Sequence, residues 1–183
     1  MKEAEREFIF LSLFTVKVAK ILLLICFCIT VLSAFIVPSF PENNFWSSIY
    51  NFSSSAIAEV KLRASESKHP LTLAVTYILS MSLSFISALF ISFSKLNMSG
   101  FNKLLNKRFS YRLLAFLFII LMITLPLFHT LPINKLHFSY NFFRAVSENR
   151  AFLALWGGSY LLLLTVLWTW LLFEVSNILR SVR

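Results

Sequence analysis

Long uninterrupted apolar runs constrain this chain more than any other feature. Four of them, at about residues 20–37, 71–94, 113–131 and 151–175, each approach the ~20 residues a helix needs to cross a ~30 Å hydrocarbon core. Lipid offers no partner to a backbone N–H or C=O, so runs of this kind satisfy their own polar groups as helices. Composition excludes a soluble fold: 58% of residues are hydrophobic, 14% are charged and 21 are Phe, which leaves too little polar surface to coat a globule in water. The expected fold is an all-α integral membrane protein, a single domain over 1–183 with four transmembrane helices as two antiparallel hairpins.

The basic stretch at 95–112, KLNMSGFNKLLNKRFSYR, divides those hairpins. It holds Lys95, Lys103, Lys107, Arg108 and Arg112 with no acid, and short cationic loops are retained on the cytoplasmic side. With Lys2, Arg6, Lys17 and Lys20 in the N-terminal flank and Arg180 and Arg183 after the last run, eleven cations fall on this side. Lys61, Arg63, Lys68, Lys135, Arg144 and Arg150 make six on the other. Both termini are therefore expected in the cytoplasm, with loops 38–70 and 132–150 outside the plasma membrane. The formal charge of +9 lies at membrane edges, which points to membrane lipids with anionic headgroups as partners and to no nucleic acid.

At the N-terminus Glu3, Glu5 and Glu7 interleave with Lys2 and Arg6, a pattern unlike a cleaved signal peptide. Lys17 and Lys20 can snorkel to the headgroups while the first helix continues, and Pro38 ends it. Cys26 and Cys28 point about 200° apart on a helix and cannot share a metal. In the first outer loop Phe45, Trp46, Tyr50 and Phe52 suit the headgroup level. Its second half, SSAIAEVKLRASESK, places Ile57, Lys61 and Ala64 on one side and predicts a short interfacial helix.

The second run is rich in hydroxyls, and Ser80, Ser84, Ser87 and Ser94 share one helix face. The fourth carries Ala151, Ala154, Gly158 and Thr165 on a face, with Gly157, Gly158 and Ser159 as its closest-approach point. Lipid tails are as apolar as Leu, so small residues that let backbones approach mark packing faces, either for sister helices or for a partner's helix. In the third run Pro126 predicts a kink, and His129 lies near the outer end with no ligand-spaced companion. Ser147 is the expected N-cap of the fourth helix, with Arg150 at its third position. Trp156, Trp168 and Trp170 suit aromatic belts, and Glu174 lies at the inner edge beside water or a cation.

Catalytic patterns are missing. The chain has no Asp, no Gly-rich phosphate loop, no histidine pair on one helix face, and no Ser, His and acid set at one depth. No enzyme activity, metal or cofactor is expected. Transporters show repeats, matched broken helices or several buried charges, of which only Pro126 is suggestive.

Phe142 to Asn149, FFRAVSEN, resembles a segment of the immunity proteins of pore-forming colicins of the A, B and N type: aromatic residues, a cation, then Ser or Thr shortly before Asn, just ahead of the last span. Chain length, four spans, a first outer loop ending in Lys68 to Pro70 and a basic C-terminal tail agree with that family. The resemblance implies a protein of the bacterial inner membrane that protects the producing cell. It would bind the pore-forming bacteriocin, through the hydrophobic helical hairpin of its channel domain, before a channel opens. By that analogy Arg144 and Asn149, with Ser147 between them, are polar recognition points and Phe142 and Phe143 apolar anchors. Ser80, Ser84 and Ser87 with Gly157 and Gly158 would offer faces to an inserted helix. Two other classes stay open: a structural subunit of a bacterial secretion or conjugation complex, and a small transporter in which Glu174, His129 or Arg144 serves a flux.

Overall fold

A computed structural model describes residues 16–64, 66–92, 116–120 and 144–181. The described residues are helical, with no strand among them. The helices are α1 (Val16–Ile36), α2 (Asn44–Ala56), α3 (Ala58–Ala64), α4 (Pro70–Ser92) and α5 (Arg150–Ser181), with shorter helical pieces at 116–120 and 144–148. Three of them, α1, α4 and Arg150–Phe173 of α5, are long and apolar enough to cross a membrane, with mean hydropathies of 2.6, 1.9 and 1.8. Helices of that length and composition make this a helical membrane protein.

The side chains are sorted in the sense lipid requires. On α1 the buried positions are Ala19, Cys26, Thr30, Ser33 and Ala34, whereas Ile21, Leu24, Ile25, Ile29, Leu32 and Phe35 are exposed. Small residues turn inward because close backbone approach, not removal from water, holds helices together in a bilayer. Thr30 Oγ1 donates to Cys26 O at 3.0 Å and Ser33 Oγ to Thr30 O at 2.7 Å, so the buried hydroxyls are satisfied within the helix. Val37 N–H still donates to Ser33 O, and Pro38, lacking a donor and restricting the residue before it, ends the helix. Cys26 is buried and Cys28 exposed, as their angular separation requires.

The α1–α4 connection is more helical than the sequence predicts. Asn43 Oδ1 accepts from Trp46 N–H at 3.0 Å and starts α2 in the half read as an aromatic loop. Four serine hydroxyls, Ser48, Ser53, Ser54 and Ser55, bond back to carbonyls one turn earlier and are absorbed by the helix. The expected amphipathic helix is the shorter α3. Its inward side is Ile57, Val60 and Ala64, and Lys61 points to the exposed side, because the spacing of three and then four residues selects Val60.

Directions follow from contacts between helix ends. Leu71 N–H donates to Ser39 O at 3.0 Å and Thr72 Oγ1 to Pro38 O at 3.0 Å, so α4 starts where α1 stops and the two are antiparallel. Tyr77 meets Tyr160 at 5.8 Å and Phe85 meets Trp168 at 5.0 Å between ring centroids, so α5 runs parallel to α4. Ser92 and Arg150 therefore lie toward opposite ends of α4, which is roughly 35 Å long at 1.5 Å per residue. Ile119 is buried with Leu164, against Met81 and Trp168. The main core lies at the α2–α3 end, where Ala34, Val60, Leu73, Tyr77, Val146 and Leu153 come together.

Several expectations fall outside the described residues: the acidic N-terminus, the basic stretch 95–112, Ser94, Pro126, His129, Phe142, Phe143 and Arg183, with most of the third run.

Candidate functional site

Helix α5 crosses α4 and α1 at Gly157 and Gly158. A Cβ on Gly157 would overlap Thr76 Cγ2 and lie 3.3 Å from Thr30 Cγ2, and one on Gly158 would lie 2.7 Å from the Phe27 ring and 3.1 Å from Val31. The missing side chains let Ser80 Oγ reach Gly157 O across the interface at 3.0 Å while also donating within α4 to Thr76 O at 2.8 Å. Ser84 is buried with its hydroxyl on Met81 O, and Ser87 is buried with no hydrogen-bond partner among the described residues. Ser80, Gly157 and Gly158 thus pack against sister helices, and a foreign helix could use that crossing only by displacing α5 or α1. Two positions differ from the expected face: Ala151 and Ser159 are exposed, and Leu161 and Leu164 take their share of the buried stripe.

A polar clasp ties the three helix ends above this crossing. Arg150 sends Nη1 to Phe35 O at 2.8 Å and Ala34 O at 3.5 Å, and Nη2 to Ser39 Oγ at 2.9 Å. A guanidinium there satisfies orphan carbonyls of α1 and complements the negative end of its dipole. Ser39 Oγ lies 2.7 Å from His69 Nδ1. Burial, then the charge of Arg150, holds His69 below its ordinary imidazole value, with Lys68 adding to that and the backbone of Glu148 opposing it. Ser67 Oγ, which accepts from His69 N–H at 3.0 Å, donates to Ser147 O at 2.9 Å and ties α4's approach to α5's. From the sequence Arg150 was expected only as a position of the fourth helix. The only signal for it and for His69 was a cation and an imidazole next to helix starts.

Residues 144–149 lie beside this clasp, and they divide into two kinds. Arg144 is exposed, its side chain 61% accessible, and its Nε donates to Glu148 Oε1 at 2.9 Å. That bond, the largest influence on it, holds the Glu148 carboxyl below the usual carboxylate range. Ser147 and Asn149 serve the fold. Ser147 is buried, with its hydroxyl on Arg144 O and its carbonyl on Ser67. Asn149, not Ser147, is the N-cap of α5: its Oδ1 accepts from Ala151 N–H at 2.8 Å and its carbonyl from Leu153 N–H at 2.9 Å. Ser147 is displaced from the cap because 144–148 already forms a helical turn in which its hydroxyl bonds back to Arg144. Arg150 therefore occupies the first helical position of α5, which leaves its side chain free to reach back to α1.

At the same end, amphipathic α2 stands off from α4 and leaves an open apolar groove of about 430 Å³ between Phe45, Trp46, Ile49 and Phe52 on one wall and Val75, Ile78 and Leu79 on the other. No group of His, Cys, Asp or Glu that could hold a metal occurs among the described residues. No family model, curated protein or solved structure matches the chain.

Proposed function

We propose that this chain is an immunity protein of the bacterial inner membrane, which binds the channel-forming domain of a colicin-type bacteriocin within the bilayer and blocks channel opening. Inhibition is stoichiometric, by lateral helix packing, with no catalytic turnover. The observation that carries the reading is the placement of Arg144. It lies in the segment that resembles the family, is exposed, and stands at a bundle end made rigid by the clasp. The open apolar groove at that end supplies surface for an inserted hairpin, with Phe142 and Phe143 as anchors by analogy.

A four-span topology with both termini in the cytoplasm accompanies this proposal. The parallel run of α4 and α5 supports it, since an odd number of crossings must separate two spans of the same direction, and the cation bias supports the orientation. Loops 38–70 and 132–150 then meet a toxin arriving from the periplasm.

The test is survival of sensitive bacteria expressing the chain while each of a panel of pore-forming bacteriocins is exported to their periplasm. Protection against one toxin and not its relatives is expected, lost on Arg144→Ala while the variant stays inserted and folded. No protection across a broad panel, with the protein shown in the membrane, would overturn the reading and favour a subunit of an envelope complex.

A further inference from the structure

The clasp places a titratable imidazole one hydroxyl away from a cation. Arg150 donates to Ser39 Oγ at 2.9 Å, so the Ser39 hydroxyl proton is available to His69 Nδ1, 2.7 Å away. Only a neutral ring, with its proton on Nε2, can accept that proton at Nδ1.

We propose that His69 is the pin of an acid-released latch, which when neutral locks the ends of α1, α4 and α5 together and when protonated frees the recognition segment at 144–149. With both ring nitrogens carrying protons, Ser39 Oγ faces two donors and its own proton loses its acceptor. The new charge also joins existing ones. Arg150 at the start of α5 and Lys68 beside the ring are both cationic, and the facing residue on the α1–α2 link is uncharged Ser39. The Glu148 carboxylate is held by Arg144. Among the described residues the charges that act on His69 are those of Arg150 and Lys68, both cations. The contacts next in line are Ser67 to Ser147 and Leu71 N–H to Ser39 O, which join the segments the latch holds. In the orientation proposed above this end faces outward and reads the acidity of the outer surface. The latch itself depends neither on that orientation nor on the toxin.

The experiment is hydrogen exchange on the full chain in lipid nanodiscs, at pH values about one and a half units either side of the ordinary imidazole value of ~6.5, corrected for intrinsic exchange. Amides of 66–73 and 144–153 should exchange several-fold faster on the acid side in the wild type and at an unchanged rate in His69→Gln. An acid response that persists in His69→Gln, or a wild type with none, would overturn the proposal. Ser39→Ala provides an independent readout that leaves His69 in place. Removing the donor to the neutral ring should move the midpoint of acid release to higher pH, and an unmoved midpoint would also overturn it.

Discussion

Replacing Gly157 with Ala adds one methyl where α5 lies on α4 and α1. That methyl overlaps Thr76 Cγ2, and Thr76 cannot swing aside without releasing its 2.8 Å bond to Thr72 O. The other response is to separate the helices, which stretches the 3.0 Å bond from Ser80 to Gly157 O. Overpacking costs about 1–3 kcal/mol, and an interhelical hydrogen bond in a membrane about 0.6 kcal/mol. Ala recovers up to about 1 kcal/mol of helix propensity over Gly, so the net loss should be about 1–2 kcal/mol. Tryptophan fluorescence during unfolding in mixed micelles with dodecyl sulfate reads this difference. Thr76→Ser removes the obstructing methyl and keeps the hydroxyl, so the double variant should regain most of the loss. Gly158→Ala chiefly meets the end of the Phe27 ring, which can turn aside, and should cost less than Gly157→Ala. A Gly157→Ala protein as stable as wild type, or a loss that Thr76→Ser leaves untouched, would refute the packing argument.

Arg150→Gln removes the cap on α1 and should lower stability by about 2 kcal/mol in the same assay, given hydrogen bonds from a charged donor that is partly screened by solvent. Asn149→Ala should cost about 1 kcal/mol, with Asn149→Asp recovering most of it, because either side chain can accept from Ala151 N–H. Arg144→Ala should change stability by less than about 0.5 kcal/mol, since its side chain is exposed and its ion pair with Glu148 lies at the surface, and abolish protection in the survival assay. The folded His69 binds its proton less readily than the unfolded chain does. Its contribution to stability is therefore complete above the ordinary value of ~6.5 and is lost as pH falls from there through the lowered folded value. Thermal unfolding between neutral and mildly acid pH should show that decline in the wild type and a shallower one in His69→Gln.

Three of the four expected spans were legible as long apolar helices, because length and hydropathy act over twenty residues at once. The expected start at 71 and the observed Pro70, or the expected stop at 37 and the observed Ile36, differ only at the fraying ends. The crossing at Gly157 and Gly158 and the serine face of α4 were legible as well, since only small residues permit that approach. Helix α2 was not. Its serines and aromatics score poorly as helix formers, and the cap at Asn43 together with packing on α4 outweighs propensity. The clasp was hidden for a different reason. Arg150, Ser39 and His69 are far apart in the chain and meet only after three helices have docked. The same docking explains why Asn149 and Ser147, read as recognition points, are occupied by the fold, whereas Arg144 remains accessible.

The claim of stoichiometric inhibition in the bilayer is tested most directly with the bacteriocin that the survival panel selects. Dye-loaded vesicles holding the purified chain at increasing ratios to that toxin should show toxin-induced leakage falling in proportion, and vanishing near one chain per toxin. Leakage that is unaffected at any ratio, or abolished far below one chain per toxin, would contradict the account.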